Sequence, residues 1–127
     1  MDMRKKLLGE EHPHTLSSMG NLASTYQNQG RWKEAEQLQV QVMDMRKKLL
    51  GEEHPDTLSS MENLASTYQN QGRWKEAEQL VVKVVDMRTK LLGLNHPYTL
   101  RSMQTLTTIR TGKTRSHRLN IKSWLGF

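Results

Sequence analysis

The sequence contains no cysteine, which excludes a disulfide, a thiolate metal ligand and a cysteine nucleophile. Its longest purely apolar run, Leu80 to Val82, is far shorter than the roughly 20 residues that cross a bilayer. Residues 1–10 carry charge but no apolar stretch of the kind found in a secretory signal. These absences predict a cytoplasmic protein that does not interact with membranes.

Acidic residues are absent from residues 110–127, which carry five Lys or Arg side chains. Residues 1–109 carry 14 basic and 13 acidic side chains, so this larger part of the chain is almost neutral. A groove for phosphate backbones needs positive charge across the folded body. The charge distribution therefore argues against nucleic acid as a partner, and binding of nucleic acid by the basic tail is retained only as an alternative.

The sequence repeats with a period of 42 residues. Residues 1–42 and 43–84 are identical at 38 of 42 positions. A third copy follows the pattern as far as Leu106, and the match ends there. Self-similarity at a period of roughly 20–50 residues is typical of solenoids and other repeat arrays.

Each copy is predicted to fold as two helices. In the second copy, Pro55 suits a first helical turn, apolar residues recur at helical spacing from Leu58 to Tyr68, and Gly72 is placed to end the helix. A second amphipathic stripe begins at Trp74 and ends at the next glycine. We therefore expect first helices near 13–28, 55–70 and 97–110, and second helices near 32–50 and 74–92.

The links between the paired helices are short, which makes the two helices antiparallel neighbours. A helix pair that cannot bury its apolar stripe alone is the unit of a solenoid, because stacked neighbours bury it. No segment of the sequence predicts a strand.

The pattern Asn63-Leu64-Ala65-x-x-Tyr68-x-x-x-Gly72-x-Trp74-x-x-Ala77-Glu78 resembles the tetratricopeptide repeat (TPR). The 42-residue period and the linker Leu-Gly-x-x-His-Pro-x-Thr resemble the long-helix subclass of kinesin light chain and nephrocystin. The run Gln-Gly-Arg-Trp-Lys-Glu-Ala-Glu is most similar to the arrays of fungal nucleotide-binding STAND receptors. The resemblance covers about residues 1–106. It implies an all-α fold, a right-handed TPR α-solenoid of antiparallel helix pairs.

This pattern divides the chain into five segments. We expect residues 1–9 to form the C-terminal part of a preceding second helix, residues 10–51 the first repeat and residues 52–93 the second repeat. Residues 94–110 are expected to form the first helix of an incomplete third repeat, and residues 111–127 a basic tail outside the repeats.

The resemblance implies protein–protein interaction rather than catalysis, because arrays of this family bind peptides or protein surfaces in a concave groove lined by the first helices. The groove positions that it implies are short, polar and rich in amides, which bind the backbone of an extended peptide without selecting charge. They are Ser17, Asn21, Ser24, Gln27, Asn28, Ser59, Glu62, Asn63, Ser66, Gln69, Asn70, Arg101 and Gln104, together with Gly20 and Thr108. The difference between Gly20 and Glu62 is the change expected to alter a ligand's charge preference.

Two alternatives remain open at this point. The polar face could be solvated without a ligand, and the chain could be a structural, self-assembling or engineered repeat fragment. Neither end of the array is predicted to carry a polar capping helix, so we expect self-association through the open repeat ends by stacking or by helix exchange. A surrogate cap formed by the apolar tail around Trp124 is the competing outcome.

No catalytic residue, cofactor or metal site is predicted. Residues 112–114 have the composition of a phosphate loop but lack its upstream glycine and preceding strand. The histidines at the starts of the three first helices recur about one repeat apart from one helix start to the next, too far apart to share a metal, and are interpreted as linker residues. They are His12, His14, His54 and His96.

Two other residue types have a structural interpretation. Met19, Met61 and Met103 recur at helical spacing with leucine and tyrosine, which favours a place in the core over an adaptable binding surface. The basic cluster 46–48 lies at the end of a predicted helix, where positive charge complements the helix dipole.

Overall fold

The computed structural model describes residues 13–125, and the side chains of residues 15–112. It contains five helices in chain order, numbered here α1 (Pro13–Asn28), α2 (Trp32–Leu50), α3 (Pro55–Asn70), α4 (Trp74–Leu92) and α5 (Pro97–Leu125). No strand occurs between residues 13 and 125. The predicted all-α fold is confirmed, while the segment 1–9 lies outside the described residues.

Histidines cap the starts of two first helices. The backbone N–H of Asp56 donates to His54 Nδ1 at 3.0 Å, and the backbone N–H of Tyr98 donates to His96 Nδ1 at 3.1 Å. Each imidazole thus satisfies one of the N–H groups that a helix leaves unpaired at its first turn. The interpretation of His54 and His96 as linker residues is confirmed, whereas His12 and the side chain of His14 lie outside the description.

Glycines end the first four helices. Gly30 and Gly72 follow α1 and α3 with φ of 75° and 76°, and Gly51 and Gly93 follow α2 and α4 with φ of 95° and 89°. A Cβ atom is strained in this left-handed region, so glycine is the residue that closes the turn at lowest cost. The predicted bounds of α1 to α4 agree with the structure.

The fifth helix differs from its prediction. It was expected to end near residue 110 and be followed by a tail, whereas α5 continues to Leu125. The reason lies in the repeat register, because the glycine that ends α3, Gly72, corresponds to Thr114 in the third copy. Without a glycine at position 114, the helix continues, and residues 111–125 extend α5 rather than fold back over it.

Each helix packs against the next helix along the chain. Ala65 of α3 and Ala77 of α4 are fully buried in one cluster with Val81 and Ile109. Since alanine is small, α3 and α4 approach each other closely at this point. The helix pairs stack in sequence order, as expected of an α-solenoid.

The methionines and Trp74 are buried to different degrees. Met19 and Met61 are 2% and 1% exposed, so their predicted place in the core is confirmed, whereas Met103 on α5 is only half-buried. Trp74 is also half-buried and packs against Gly112, where a Cβ atom would lie 2.9 Å from the indole Cη2. The glycine in α5 therefore makes room for the indole at the start of α4.

Arginines link each second helix to the next repeat. The Arg46 guanidinium donates from Nη1 to Ser60 Oγ at 2.8 Å, and Arg88 donates in the same way to Ser102 Oγ at 2.8 Å. Lys47 and Lys48 lie in the last turn of α2, as expected for complementing the dipole. For Arg46 that interpretation was wrong, because its side chain crosses to α3.

Over residues 13–125, no helix combines the length and apolar character needed to cross a bilayer.

Candidate functional site

The first helices expose a continuous polar stripe. On α1 and α3 the exposed positions follow a spacing of four, three and four residues, which keeps them on one helical face. Exposed residues continue along the corresponding part of α5. The stripe consists of Ser17, Asn21, Ser24, Asn28, Ser59, Asn63, Ser66, Asn70, Arg101, Gln104 and Thr108, all of which were predicted.

A hydrogen bond joins the stripes of α1 and α3. The Gln27 amide donates from Nε2 to Ser66 Oγ at 3.3 Å. Gln27 and its counterpart Gln69 are half-buried, so they lie at the side of the exposed stripe. This contact brings predicted residues of α1 and α3 together.

A cleft of about 600 Å³ lies between α3 and α5. Four predicted residues line it, Ser59, Glu62, Asn63 and Arg101. The cleft lies at the N-terminal halves of the two first helices and is closed at one side by the last turns of α4. We call it the α3–α5 cleft.

A buried ion pair forms the floor of this cleft. Arg88 Nη1 lies 2.6 Å from Glu62 Oε1, and the two side chains are only 9% and 19% exposed. Arg88 also donates to the carbonyl of Tyr98 at 3.3 Å. The Glu62 carboxylate, predicted to select the charge of a ligand, is thus already paired within the chain.

The cleft also contains residues that were not predicted. Leu91 and Leu92 at the end of α4 are 46% and 42% exposed, and Tyr98 is 52% exposed. The guanidinium carbons of Arg88 and Arg101 lie 5.6 and 5.8 Å from the centre of the Tyr98 ring. These residues add apolar and aromatic surface to a site expected to be polar.

A comparison of the repeat copies would have identified Tyr98 as a residue that differs between the two repeat junctions. Tyr98 and Arg101 occupy the positions of Asp56 and Ser59 in the preceding repeat. The junction of repeats 2 and 3 therefore carries an aromatic and a basic residue where the junction of repeats 1 and 2 carries an acid and a serine.

A second cleft, of about 640 Å³, lies between α2 and α4. Its apolar part includes Val40, Leu64 and Leu80, and its rim carries Glu78 and Lys83. None of the predicted groove residues lines it, so it belongs to the face formed by the second helices.

A charged cluster surrounds the turn between α3 and α4. Arg73 Nε lies 2.6 Å from Glu76 Oε2, and Arg73 Nη1 lies 2.8 Å from Glu36 Oε1 of the preceding repeat. The hydrogen bond from Arg73 lowers the pKa of Glu76, and burial together with the nearby Glu36 charge raises the pKa of Tyr68. The cluster thus connects the turn between α3 and α4 to α2 of the preceding repeat.

The described residues offer no arrangement for metal chemistry, since no group of three or more His, Asp or Glu side chains among them could hold an ion. The residues on the first helices instead provide amides, hydroxyls and a guanidinium on an open surface. Such groups exchange hydrogen bonds with a polypeptide.

A sequence profile described as tetratricopeptide repeat matches residues 1–48, 15–90 and 56–115. A search of curated proteins gave no match. Among solved structures, a Podosopora anserina protein described as a kinesin light chain, with nearly identical TPR-like repeats, is 35% identical with a TM-score of 0.80. The alignment covers 92% of this chain and 56% of that chain. A point variant of the same Podosopora anserina protein is 33% identical with a TM-score of 0.81, and the alignment covers 92% and 55%.

A more distant structure shares the fold alone. BtubC (BKLC) from P. vanneervenii is 16% identical with a TM-score of 0.69, and the alignment covers 99% of this chain and 54% of that chain. The chain thus spans about half the length of the solved structures that it matches.

Proposed function

This chain belongs to the tetratricopeptide repeat family, and we propose that its first-helix surface binds an extended peptide or a segment of a protein. Repeats of this family are generally protein-interaction modules. The proposed binding surface is the exposed stripe of α1, α3 and α5 together with the α3–α5 cleft. The role is non-catalytic and requires no cofactor.

The continuity of exposed amides along the stripe supports this proposal most directly. Asn21 and Asn63 occupy the same position in repeats 1 and 2, and both are exposed. An amide offers a donor and an acceptor together, as does each peptide unit of a ligand backbone. Repetition of the same group along the stripe suits a ligand that lies extended across successive repeats.

The α3–α5 cleft gives the surface an asymmetry. Its apolar residues Leu91 and Leu92 lie at one side of the polar stripe. We propose that this end holds a side chain of the ligand, while the amides of repeats 1 and 2 hold its backbone. Cytoplasmic residence stays a prediction that rests on composition.

The test is selection from a phage-displayed library of random linear peptides, followed by measurement of Kd for a selected synthetic peptide. The variant Asn21→Ala/Asn63→Ala removes one amide from each first helix. Its matched control is Gln37→Ala/Gln79→Ala, which removes two equally repeated and exposed amides from the second helices.

We expect the control to keep the wild-type Kd and the Asn21→Ala/Asn63→Ala variant to bind about 5-fold more weakly for each lost hydrogen bond, about 1 kcal/mol. Equal affinity of the two double variants would contradict the proposed surface.

A further inference from the structure

In the complete repeats, a pair of apolar residues on the first helix is covered by a methionine of the second helix. Leu58 and Met61 are 2% and 1% exposed and belong to a cluster against which Met87 of α4 packs. The same arrangement occurs in repeat 1, with Leu16, Met19 and Met45. The last turns of a second helix therefore bury the N-terminal half of its own first helix.

On α5 the corresponding pair is open. Leu100 and Met103 occupy the positions of Leu58 and Met61. Leu100 is 50% exposed, and Met103 is only half-buried. Because α5 continues to Leu125, no second helix returns across this face within the described residues. We call the surface formed by Leu100 and Met103 the α5 patch.

The C-terminal half of the same face has become polar. Thr107 replaces the fully buried Ala65, and Arg110 replaces Tyr68. Both Thr107 and Arg110 are exposed, and Arg110 Nε pairs with Glu78 Oε2 at 2.8 Å. The face thus suits a partner that covers only its N-terminal half.

The sequence contains a segment of matching extent. Residues 1–9 are identical to residues 43–51, which form the end of α2 and its glycine. Met3 corresponds to Met45 and to Met87, the methionines that cover the apolar pairs of repeats 1 and 2. Residues 1–9 therefore match the part of a second helix that the α5 patch lacks.

This type of segment also connects two repeats. In α2, Met45 packs against the first helix of its own repeat, while Met43 packs against Leu58 and Leu64 of the next repeat. Met1 corresponds to Met43 in the repeated sequence. A segment of this kind has one side for the helix before it and another for the helix after it.

We propose that residues 1–9 of a second copy of this chain bind the α5 patch. The contact joins α5 of one copy to α1 of the next and reproduces the stacking of repeats 1 and 2. It is head-to-tail, since the donor segment and the acceptor patch are different surfaces, and it therefore leaves one of each free for further copies.

The test uses light scattering over a concentration series with two blocked variants. Leu100→Glu places a charge in the acceptor patch, and Met3→Glu places a charge in the donor segment. The control Leu49→Glu changes a leucine of similar exposure, 41%, at the end of α2. We expect the mass of the wild type and the control to rise with concentration from 14.8 kDa to beyond a dimer.

Each blocked variant alone should keep the mass of one chain, and an equimolar mixture should form a species of two chains and nothing larger. In the mixture, the free donor of Leu100→Glu meets the free acceptor of Met3→Glu, and recovery of binding shows that both variants are folded. Assembly of Met3→Glu alone would overturn the proposal in favour of pairing between two α5 helices or of helix exchange. A constant wild-type mass at high micromolar concentration would also overturn it, and would leave the proposed peptide surface untouched.

Discussion

Glu62 and Gly20 occupy the same position in successive repeats, and only Glu62 places a carboxylate beside the arginine of its own second helix. Because Arg88 is almost fully buried, loss of the carboxylate leaves a guanidinium without its counter-ion in a region of low dielectric. The residue expected to face a ligand thus contributes to the stability of the junction between repeats 2 and 3.

We expect Glu62→Ala to lower the free energy of unfolding by about 2–3 kcal/mol, since the desolvated guanidinium keeps hydrogen bonds but loses its ion pair. Urea denaturation measures the change. The control is Glu52→Ala, which removes an exposed carboxylate and should cost less than about 0.5 kcal/mol. Equal urea midpoints for the two variants would show that the ion pair does not stabilise the fold.

The ionisation of Glu76, which lies near the turn between α3 and α4, makes the stability of the protein depend on pH. Its pKa is lowered from the ordinary value of 4.5 by the hydrogen bond from Arg73. The pair therefore stabilises the fold above about pH 4.5, and this contribution is lost as the pH falls through the lower native pKa. Because the two side chains are 41% and 42% exposed, the pair contributes only on the order of 0.5 kcal/mol to the free energy of unfolding.

Urea midpoints measured between about pH 3 and pH 6, the range in which carboxylates titrate, test this contribution. The variant Arg73→Gln should show a smaller loss of stability on acidification than the wild type. Parallel pH profiles of the two proteins would mean that Arg73 does not lower the pKa of Glu76.

At the scale of the helices, replacement of glycine by alanine should have opposite effects on stability at two sites. Gly72 ends α3 with φ of 76°, whereas Gly20 lies within α1 and has open space where a Cβ atom would lie. We expect Gly72→Ala to destabilise the protein by about 1–2 kcal/mol through strain in the left-handed region. Gly20→Ala should stabilise it by up to about 1 kcal/mol, because alanine favours a helix interior.

Thermal unfolding of the two alanine variants measures this contrast. Both variants add the same methyl group, and both sites have open space for it, so backbone conformation is the main difference between them. A change of the same sign in both would contradict the assignment of Gly72 as the residue that ends α3.

The crossing of α3 and α4 depends on small side chains. We expect Ala65→Leu to lower the free energy of unfolding by about 1–3 kcal/mol, because the added atoms have no space between the two helices. Ser59 on the same helix is exposed, and Ser59→Leu serves as the matched control. An equal fall of the denaturant midpoint in both variants would show that the close approach of α3 and α4 does not limit the size of the side chain at residue 65.

The helices were predictable from the sequence wherever local signals determine them. Glycines and periodic apolar residues predicted the bounds of α1 to α4, because a glycine with left-handed backbone conformation follows the end of each of these helices. The end of α5 was not predicted because the repeat match stops at Leu106, although Thr114 stands at the position of Gly72. The replaced glycine was the available signal.

The candidate site was only partly predictable. The exposed stripe follows from helical periodicity, so its positions could be inferred one helix at a time. Leu91, Tyr98 and the pairing of Glu62 with Arg88 depend on how the end of one repeat meets the start of the next. That geometry is set by packing between helices, which periodicity does not specify.

At the scale of the whole molecule, stacking of the repeats places the exposed residues of successive helices side by side on one extended surface. Each helix contacts mainly its sequence neighbours, so the first helices form one face and the second helices the other. The chain spans about half the length of the related structures, which are 35% and 33% identical to it. The family and the fold are shared with them, while the choice of the proposed ligand depends on the exposed residues of this chain.

The most direct test of the proposed function is an NMR titration of the ¹⁵N-labelled chain with the peptide selected from the random library. We expect the shifted side-chain amide signals to belong to the first helices, notably Asn21, Asn63 and Gln104, with backbone shifts around Tyr98. The matched amides of the second helices, Gln37 and Gln79, should keep their positions throughout the titration. Shifts confined to Gln37, Gln79 and their neighbours would contradict the account, because they would place the ligand on the opposite face of the solenoid.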